Sequence, residues 1–126
     1  MIRIPDPGRF ELRLMDGSAN PYLLQASVLA AGINGIKNKI DPGKPLNCNM
    51  YEDFAKYPNL PKLPDELDQS LKQLKKNKEM NEAFGTGVID SYIKLRATEI
   101  KEFNNIERFD KSKPITKWER QNTLDC

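Results

Sequence analysis

The sequence predicts an α+β fold, in which an antiparallel pair of strands at about residues 1–15 is followed mainly by helices. Two observations lead to this prediction. Over residues 1–15 apolar and charged residues alternate with a period of two around a turn signal, and beyond residue 65 apolar residues recur every three or four positions. Strands followed by a run of helices are typical of the α+β class. The 126 residues are enough for one ordinary domain.

Composition narrows the classes of function. Lys and Arg number 20 against 18 Asp and Glu, and a net charge of +2 argues against nucleic acid or a membrane surface as partner. Histidine is absent, which excludes catalytic triads and His-ligated metals within these residues and leaves hard, oxygen-bound ions such as Mg or Mn. Two cysteines, Cys48 and Cys126, make no disulfide framework, and nothing resembles a signal peptide or a membrane span, so we expect a cytoplasmic protein.

The strand pair is predicted at residues 1–5 and 9–15, joined by the turn Asp6-Pro7-Gly8. On the second strand, three apolar residues alternate with three charged ones: Phe10, Leu12 and Leu14 with Arg9, Glu11 and Arg13. The charged residues therefore share one face of the sheet.

The charged face, together with Arg3, holds three arginines and one glutamate. An array of this composition suits an anionic ligand that also carries a metal ion, such as metal-bound nucleotide phosphate. A cross-strand salt-bridge ladder with no ligand explains the same spacing equally well. The spacing by itself leaves both interpretations open.

The first helix is predicted at residues 20–37, with Asn20 as N-cap and Pro21 at the first helical position. Its body is apolar on nearly all sides, which is typical of a buried helix. A chain of 126 residues offers few other elements to pack around this helix, so we expect the elements that bury it to lie outside these residues. Residues 40–64 lose the pattern and are predicted as a proline-marked extended loop.

The remaining helices follow from spacing and capping signals. Leu67, Leu71 and Leu74 predict one helix, and residues 79–84 predict a short one that stops at Gly85. Residues 88–103 predict a longer helix, whose outer face, including Arg96 and Glu99, is expected to be solvated. Thr116 and Glu119 predict a capping box on a final short helix. Three aromatic residues are interpreted as packing or interface residues: Tyr22, Tyr51 and Trp118.

Several motifs, in this order and spacing, resemble the C-terminal part of the catalytic domain of glutamine synthetase. They are Arg3-Ile4-Pro5, Arg9-Phe10-Glu11-Leu12-Arg13, Asp16-Gly17-Ser18-Ala19-Asn20-Pro21-Tyr22-Leu23, Ala30-Ala31-Gly32-Ile33-Asn34-Gly35-Ile36 and, near the end, Trp118-Glu119-Arg120. Leu23-Leu24-Gln25 and Asn122-Thr123-Leu124-Asp125 are most similar to the type III enzymes, which are related to type I. The resemblance implies that residues 1–126 are a fragment whose N-terminal small domain and most of whose active site lie upstream.

The resemblance also implies roles for the array. Arg3 and Arg9 would contact ATP phosphates, and Glu11 would be a ligand of an Mg or Mn ion that bridges the nucleotide. Arg13 would bind the γ-carboxylate of glutamate and stabilise the phosphorylated intermediate. The implied reaction makes glutamine from glutamate, ammonia and ATP through γ-glutamyl phosphate, in a homo-oligomer of stacked rings.

Two alternatives remain at this point. The ligase could use another amine, as γ-glutamylmethylamide synthetase does, or the chain could be an inactive binding or assembly module. Residues 1–126 alone are expected to be inactive. The turn at residues 6–8 is shorter than in type I enzymes and lacks their lysine, which leaves open how adenine is held.

Overall fold

The structure, a computed structural model, describes residues 2–106 and 115–123, and within them the predicted α+β class is confirmed. Two strands and six α-helices follow one another along the chain: β1 (Ile2–Asp6), β2 (Arg9–Leu12), α1 (Pro21–Lys37), α2 (Met50–Asp53), α3 (Leu67–Lys76), α4 (Lys78–Phe84), α5 (Thr86–Ile106) and α6 (Lys117–Asn122). None of the helices in the described part is long and apolar enough to cross a membrane.

The two strands form an antiparallel hairpin with a two-residue loop. Asp6 pairs with Arg9, and Gly8 in the loop takes φ +79°, which a proline followed by glycine readily provides in a type II turn. The second strand is shorter than predicted and ends at Leu12 rather than at residue 15. Leu12 pairs with Ile2, which is the first residue that the structure describes. The described part of β1 therefore offers no pairing partner to the residues that follow Leu12.

Helix α1 begins as predicted, because the Asn20 side chain accepts hydrogen bonds from the backbone N–H groups of Tyr22 (3.0 Å) and Leu23 (3.1 Å). The burial expected from its composition does not occur within the described residues, since none of its side chains is buried. Its main contact with another helix is with α4.

The segment at residues 40–64 is more ordered than the predicted extended loop. Asn49 caps the four-residue helix α2 by accepting from the backbone N–H of Tyr51 at 3.2 Å, and a single 3₁₀ turn, Phe54–Lys56, follows. An element this short shows no periodicity, so the sequence pattern could not reveal it.

The helices after residue 65 carry the small core, and their predicted positions are confirmed. Helix α3 packs on α5, α4 contacts both α1 and α5, and Gly85 with φ +80° separates α4 from α5 as a stop and restart. Among the described residues, only Leu71 on α3 and Ile89 on α5 are buried apolar side chains. The two helices are therefore joined through very little buried apolar surface.

The final helix docks on the end of α5. The rings of Phe103 and Trp118 meet edge to face with their centroids 5.7 Å apart, so the packing role proposed for Trp118 is confirmed. Thr116 and Glu119 form the predicted capping box, with Thr116 buried. Tyr22 and Tyr51 are largely exposed, which leaves an interface as the remaining interpretation for them.

Candidate functional site

The four predicted site residues converge on the hairpin, with Glu11 at the centre. The Glu11 carboxylate accepts hydrogen bonds from three guanidinium groups: Arg3 Nη1 at 3.2 Å, Arg9 Nη2 at 2.8 Å and Arg13 Nη2 at 2.9 Å. Arg3 and Arg13 share Oε2, whereas Arg9 binds Oε1. We call this cluster of Arg3, Arg9, Glu11 and Arg13 the arginine array.

A register shift in β1 brings Arg3 into the array. Three residue steps separate Arg3 from Asp6, whereas only two separate their partners Glu11 and Arg9. One extra residue on β1 is therefore accommodated between Arg3 and Asp6, where Pro5 has no N–H to give to the ladder. Counted back from the Asp6–Arg9 pair without that residue, Arg3 would lie opposite Leu12 and on the other face of the sheet.

Arg9 and Arg13 belong to the same stretch of chain as Glu11, whereas Arg3 contacts it from the neighbouring strand. They lie two positions before and after Glu11, and residues with this spacing point to the same face of an extended chain. Arg13 lies just beyond the last paired residue of β2, yet its guanidinium still contacts the carboxylate. The predicted one-face arrangement is thus present although the strand is shorter than expected.

The electrostatic environment of Glu11 favours its ionised form. The pKa of Glu11 is lowered from 4.5, first by the hydrogen bond from Arg13 and then by that from Arg3, while burial acts in the opposite direction. The guanidinium of Arg9 also pairs with this carboxylate, at 2.8 Å. The carboxylate therefore stays charged at neutral pH and holds the three cations together.

The arginines remain accessible although they are paired. Their side chains are 57–63% exposed, against 23% for Glu11. Three positive charges against one negative charge give the array a local charge of +2, and the guanidinium groups retain free N–H donors. The array can therefore bind an incoming oxyanion by charge-assisted hydrogen bonds without first breaking the hairpin.

The array could supply part of the ligand set of a hard cation such as Mg or Mn. Glu11 offers carboxylate oxygens, the ligand type that Mg and Mn prefer. Residues 2–106 and 115–123 contain no group of three or more acidic or cysteine side chains that could hold a metal ion. Within the described residues, the array can thus offer one metal ligand, Glu11.

One feature was not predicted from the sequence. Arg96 and Glu99, assigned to a solvated helix face, are half-buried and pair at 2.7 Å beside a cleft of about 590 Å³ between α3, α5 and α6. The assignment of Glu99 to open solvent was wrong in this respect, because α6 folds back against that side of α5. Helical spacing shows which residues share a face, but it does not show which distant element covers that face.

Comparison with known proteins places these elements in a family. A family model described as glutamine synthetase, catalytic domain, matches residues 1–122. A glutamine synthetase of Rhizobium meliloti (strain 1021) is 42% identical over 125 residues, which are 99% of this chain and 27% of that protein. A glutamate–methylamine ligase of Methyloversatilis universalis (strain FAM5) is 41% identical over 109 residues, covering 82% of this chain and 25% of that protein.

A solved structure gives the same result at the level of the fold. The structure described as GmaS/ADP complex, conformation 1, matches with a TM-score of 0.78 and 36% identity, over 100% of this chain and 27% of that one. Fold and sequence together place this chain in the same class as a protein named as a ligase. The chain belongs to the glutamine synthetase family, and it matches that family's catalytic domain. It spans about a quarter of the length of the curated relatives it matches.

Proposed function

We propose that the chain forms part of an ATP-dependent ligase that makes glutamine from glutamate and ammonia through γ-glutamyl phosphate. The single observation that carries this proposal is the arginine array, in which three guanidinium groups surround one carboxylate at 2.8–3.2 Å. The reaction brings a nucleotide triphosphate and a carboxylate together, and both are anions. Accessible arginines on a fixed hairpin supply the positive charge that such an encounter needs.

Arg3 and Arg9 are proposed to bind the ATP phosphates. Arg3 lies on β1 and Arg9 on β2, and both face the same side of the hairpin, so a phosphate chain lying over the array can be held at two points. The guanidinium forks match phosphate oxygens better than lysine would. The incoming phosphates would take over hydrogen bonds that Glu11 accepts in the structure.

Arg13 is proposed to bind the γ-carboxylate of glutamate. An oxygen of that carboxylate attacks the γ-phosphorus of ATP and ADP leaves, which gives the acyl phosphate. Ammonia then attacks the acyl carbon, phosphate leaves and a proton is lost, so that the amide forms. Arg13 compensates negative charge on the substrate in both steps, and its position beyond the end of β2 leaves its side chain 58% exposed to reach it.

Glu11 is proposed as a ligand of a divalent metal ion, Mg or Mn. Bound there, the ion would neutralise phosphate charge and orient the nucleotide. The low pKa of Glu11 keeps the carboxylate ready for this role at neutral pH. The described residues offer no group of three possible ligands, so the other ligands are proposed to come from outside them. Consistent with the family resemblance, the 126 residues alone are expected to be inactive.

A second candidate is a ligase that joins glutamate to another amine, such as methylamine. It is favoured by one observation, the 41% identity to a protein named glutamate–methylamine ligase. The array acts on the phosphates and on glutamate, which both reactions share, so it does not distinguish between the amines. A third candidate is an inactive binding or assembly module. The first candidate, the ligase that makes glutamine, is proposed to act as a homo-oligomer of stacked rings.

The test uses a chimera in which residues 1–126 replace the matched quarter of the Rhizobium meliloti relative. Glutamate-dependent release of phosphate from ATP is measured with ammonia and with methylamine. We expect Glu11→Ala to lower the rate by roughly 100-fold or more, as for loss of a preorganised electrostatic group. Glu99→Ala is the matched control, since Glu99 is also a carboxylate paired with an arginine, and it should leave the rate within about threefold.

Equal losses in Glu11→Ala and Glu99→Ala would refute the metal assignment. A chimera that folds and assembles like the host but shows no activity with either amine would favour the inactive module.

A further inference from the structure

Pro5 lies where the pairing of the hairpin changes register. On the side of the turn Asp6 pairs with Arg9, and beyond the change Arg3 pairs with Glu11. Two residues of β1 therefore lie opposite a single residue of β2, which is the arrangement of a β-bulge. Pro5 is one of these two residues, so the placement of Arg3 relative to the array is decided next to it.

The covalent structure of proline favours this irregular pairing over a continuous ladder. The ring of Pro5 holds φ near −65°, about 75° from the value of a regular antiparallel strand, and leaves no N–H to donate. Prolines within sheets are accordingly found at edges and bulges. In the described part of the chain β1 has a single partner strand, so Pro5 occupies an edge as well as a bulge.

The turn beside the bulge acts in the same direction. Pro7 and Gly8 form the two-residue loop, and Gly8 takes φ +79°, as in a type II turn. A type II turn splays the two strands of such a hairpin, because its twist does not match theirs. A bulge increases the local right-handed twist and can compensate for this mismatch. Residues 5–8 therefore set the register of β1 together.

The Arg3–Glu11 ion pair is too weak to set the register by itself. The Arg3 side chain is 57% exposed, and exposed ion pairs contribute little to folding. In a regular ladder continued from the turn, Ile4 would lie opposite Glu11, and Arg3 would move to the apolar face of the hairpin. The backbone must therefore hold Arg3 in place, and Pro5 is the residue that disfavours the regular ladder.

We infer that Pro5 is a positioning residue, which holds Arg3 on the face of the array by keeping β1 in its bulged register. Pro5 acts through Arg3 and needs no contact with a substrate. The placement of Arg3 beside Glu11 is independent of the reaction. The consequence for ATP rests on the proposed function, because a chain with a regular ladder would hold the phosphates through Arg9 without Arg3.

Two variants of the 126-residue chain test the placement by NMR. Pro5→Val restores an N–H and adds a strand-forming side chain, so it should favour the regular ladder. Cross-strand NOEs should then connect Arg3 with Leu12 instead of Glu11. The Glu11 carboxyl should also titrate at higher pH, because the hydrogen bond from Arg3 contributes to its lowered pKa. Deleting Pro5 removes the extra residue, so Arg3 should stay opposite Glu11 and the titration midpoint should stay low.

A double-mutant cycle separates positioning from a general loss of structure. In the Arg3→Ala background, Pro5→Val should move the Glu11 midpoint no further, because both substitutions remove the same contact. The matched control is Pro45→Val, since Pro45 is exposed and lies outside the helices and strands, and it should leave the midpoint unchanged. Pro5→Ala, with a weaker strand former, replaces Pro5→Val where that variant loses the hairpin.

Three results would overturn the inference. The first is a Pro5→Val chain in which Arg3 still lies opposite Glu11 and the midpoint is unchanged. The second is additive effects of Pro5→Val and Arg3→Ala on the midpoint. The third is loss of the hairpin in both Pro5→Val and Pro5→Ala, which would make Pro5 necessary for folding and not for position.

Kinetics of the chimera test the consequence for ATP. Pro5→Val and Arg3→Ala should raise the KM for ATP by similar factors, at least about tenfold, as for loss of a hydrogen bond to a charged group. The KM for glutamate should stay within about twofold, since Arg13 keeps its place. An unchanged KM for ATP in Arg3→Ala would refute the proposed phosphate contact, whereas the NOEs and the titration decide the placement of Arg3 separately.

Discussion

The hairpin and the helical part of this chain are built from different interactions. The hairpin holds its shape through backbone pairing, a tight turn and the three arginines around Glu11, with its apolar side chains largely exposed. The helices α3 and α5 hold together through buried Leu71 and Ile89. The proposed chemistry thus lies in the region with no core, while the core lies in the region with no proposed chemistry.

This difference has a physical reason. Groups that must bind an anion need free donors and access, and exposed ion pairs contribute little to folding because water and salt screen them. Apolar side chains stabilise in proportion to the surface they remove from water. A substitution in one region should therefore change a different measurable quantity from a substitution in the other.

The largest effect on stability is expected in the helical core. Leu71→Ala should lower the free energy of unfolding by about 2–4 kcal/mol, since it removes a buried side chain and leaves a cavity between α3 and α5. Chemical denaturation followed by circular dichroism at 222 nm measures it. Phe10→Ala on the exposed face of the hairpin is the control, expected within about 0.5 kcal/mol. A larger loss for Phe10→Ala would show that the hairpin is part of the core after all.

A medium effect is expected at the cap of α6. Thr116 is buried, and its hydroxyl accepts from the backbone N–H of Glu119 at 3.1 Å. Thr116→Ala should cost about 1–2 kcal/mol, because it leaves that donor without its cap. Thr98→Ala removes an exposed hydroxyl from the middle of α5 and should change stability by less than about 0.5 kcal/mol in the same denaturation experiment. Equal losses would contradict the capping role.

The smallest effect on stability, and a clear electrostatic one, is expected in the array. The carboxyl carbon of Glu11, followed by NMR, should titrate below 4.5, and Arg13→Ala should move the midpoint back towards 4.5 because Arg13 is the first cause of the shift. Lys72→Ala, which removes the partner of Asp68, is the control and should leave Glu11 unchanged. A midpoint in the native chain at or above 4.5 would contradict the geometry of the array.

The sign of the pH dependence follows from the same shift. The folded pKa of Glu11 lies below its unfolded value, so the stabilisation from the array is present above pH 4.5 and is lost as the pH falls through the folded pKa. The difference in stability between the native chain and Glu11→Gln should therefore shrink on acidification below pH 4.5. Added salt should also shrink it at neutral pH, whereas the loss in Leu71→Ala should persist.

The sequence alone determined the elements whose causes are local. The period-two alternation of residues 9–13 predicted that Arg9, Glu11 and Arg13 share a face. The capping residues Asn20 and Thr116 predicted where two helices begin, and Gly85 predicted a break between two helices. The motif order from Arg3 to Ile36 indicated the family. Each of these depends on residues within a few positions of one another along the chain.

Only the tertiary structure decided matters that depend on distant residues. The extra residue in β1 rotates Arg3 onto the face of Glu11, and the position of α6 turns Arg96 and Glu99 from a solvated face into the wall of a cleft. The exposure of Leu29 and Ile33 likewise depends on which element covers α1, and the composition of that helix cannot specify this. Periodicity tells which side chains point the same way, but pairing register and packing decide what they meet.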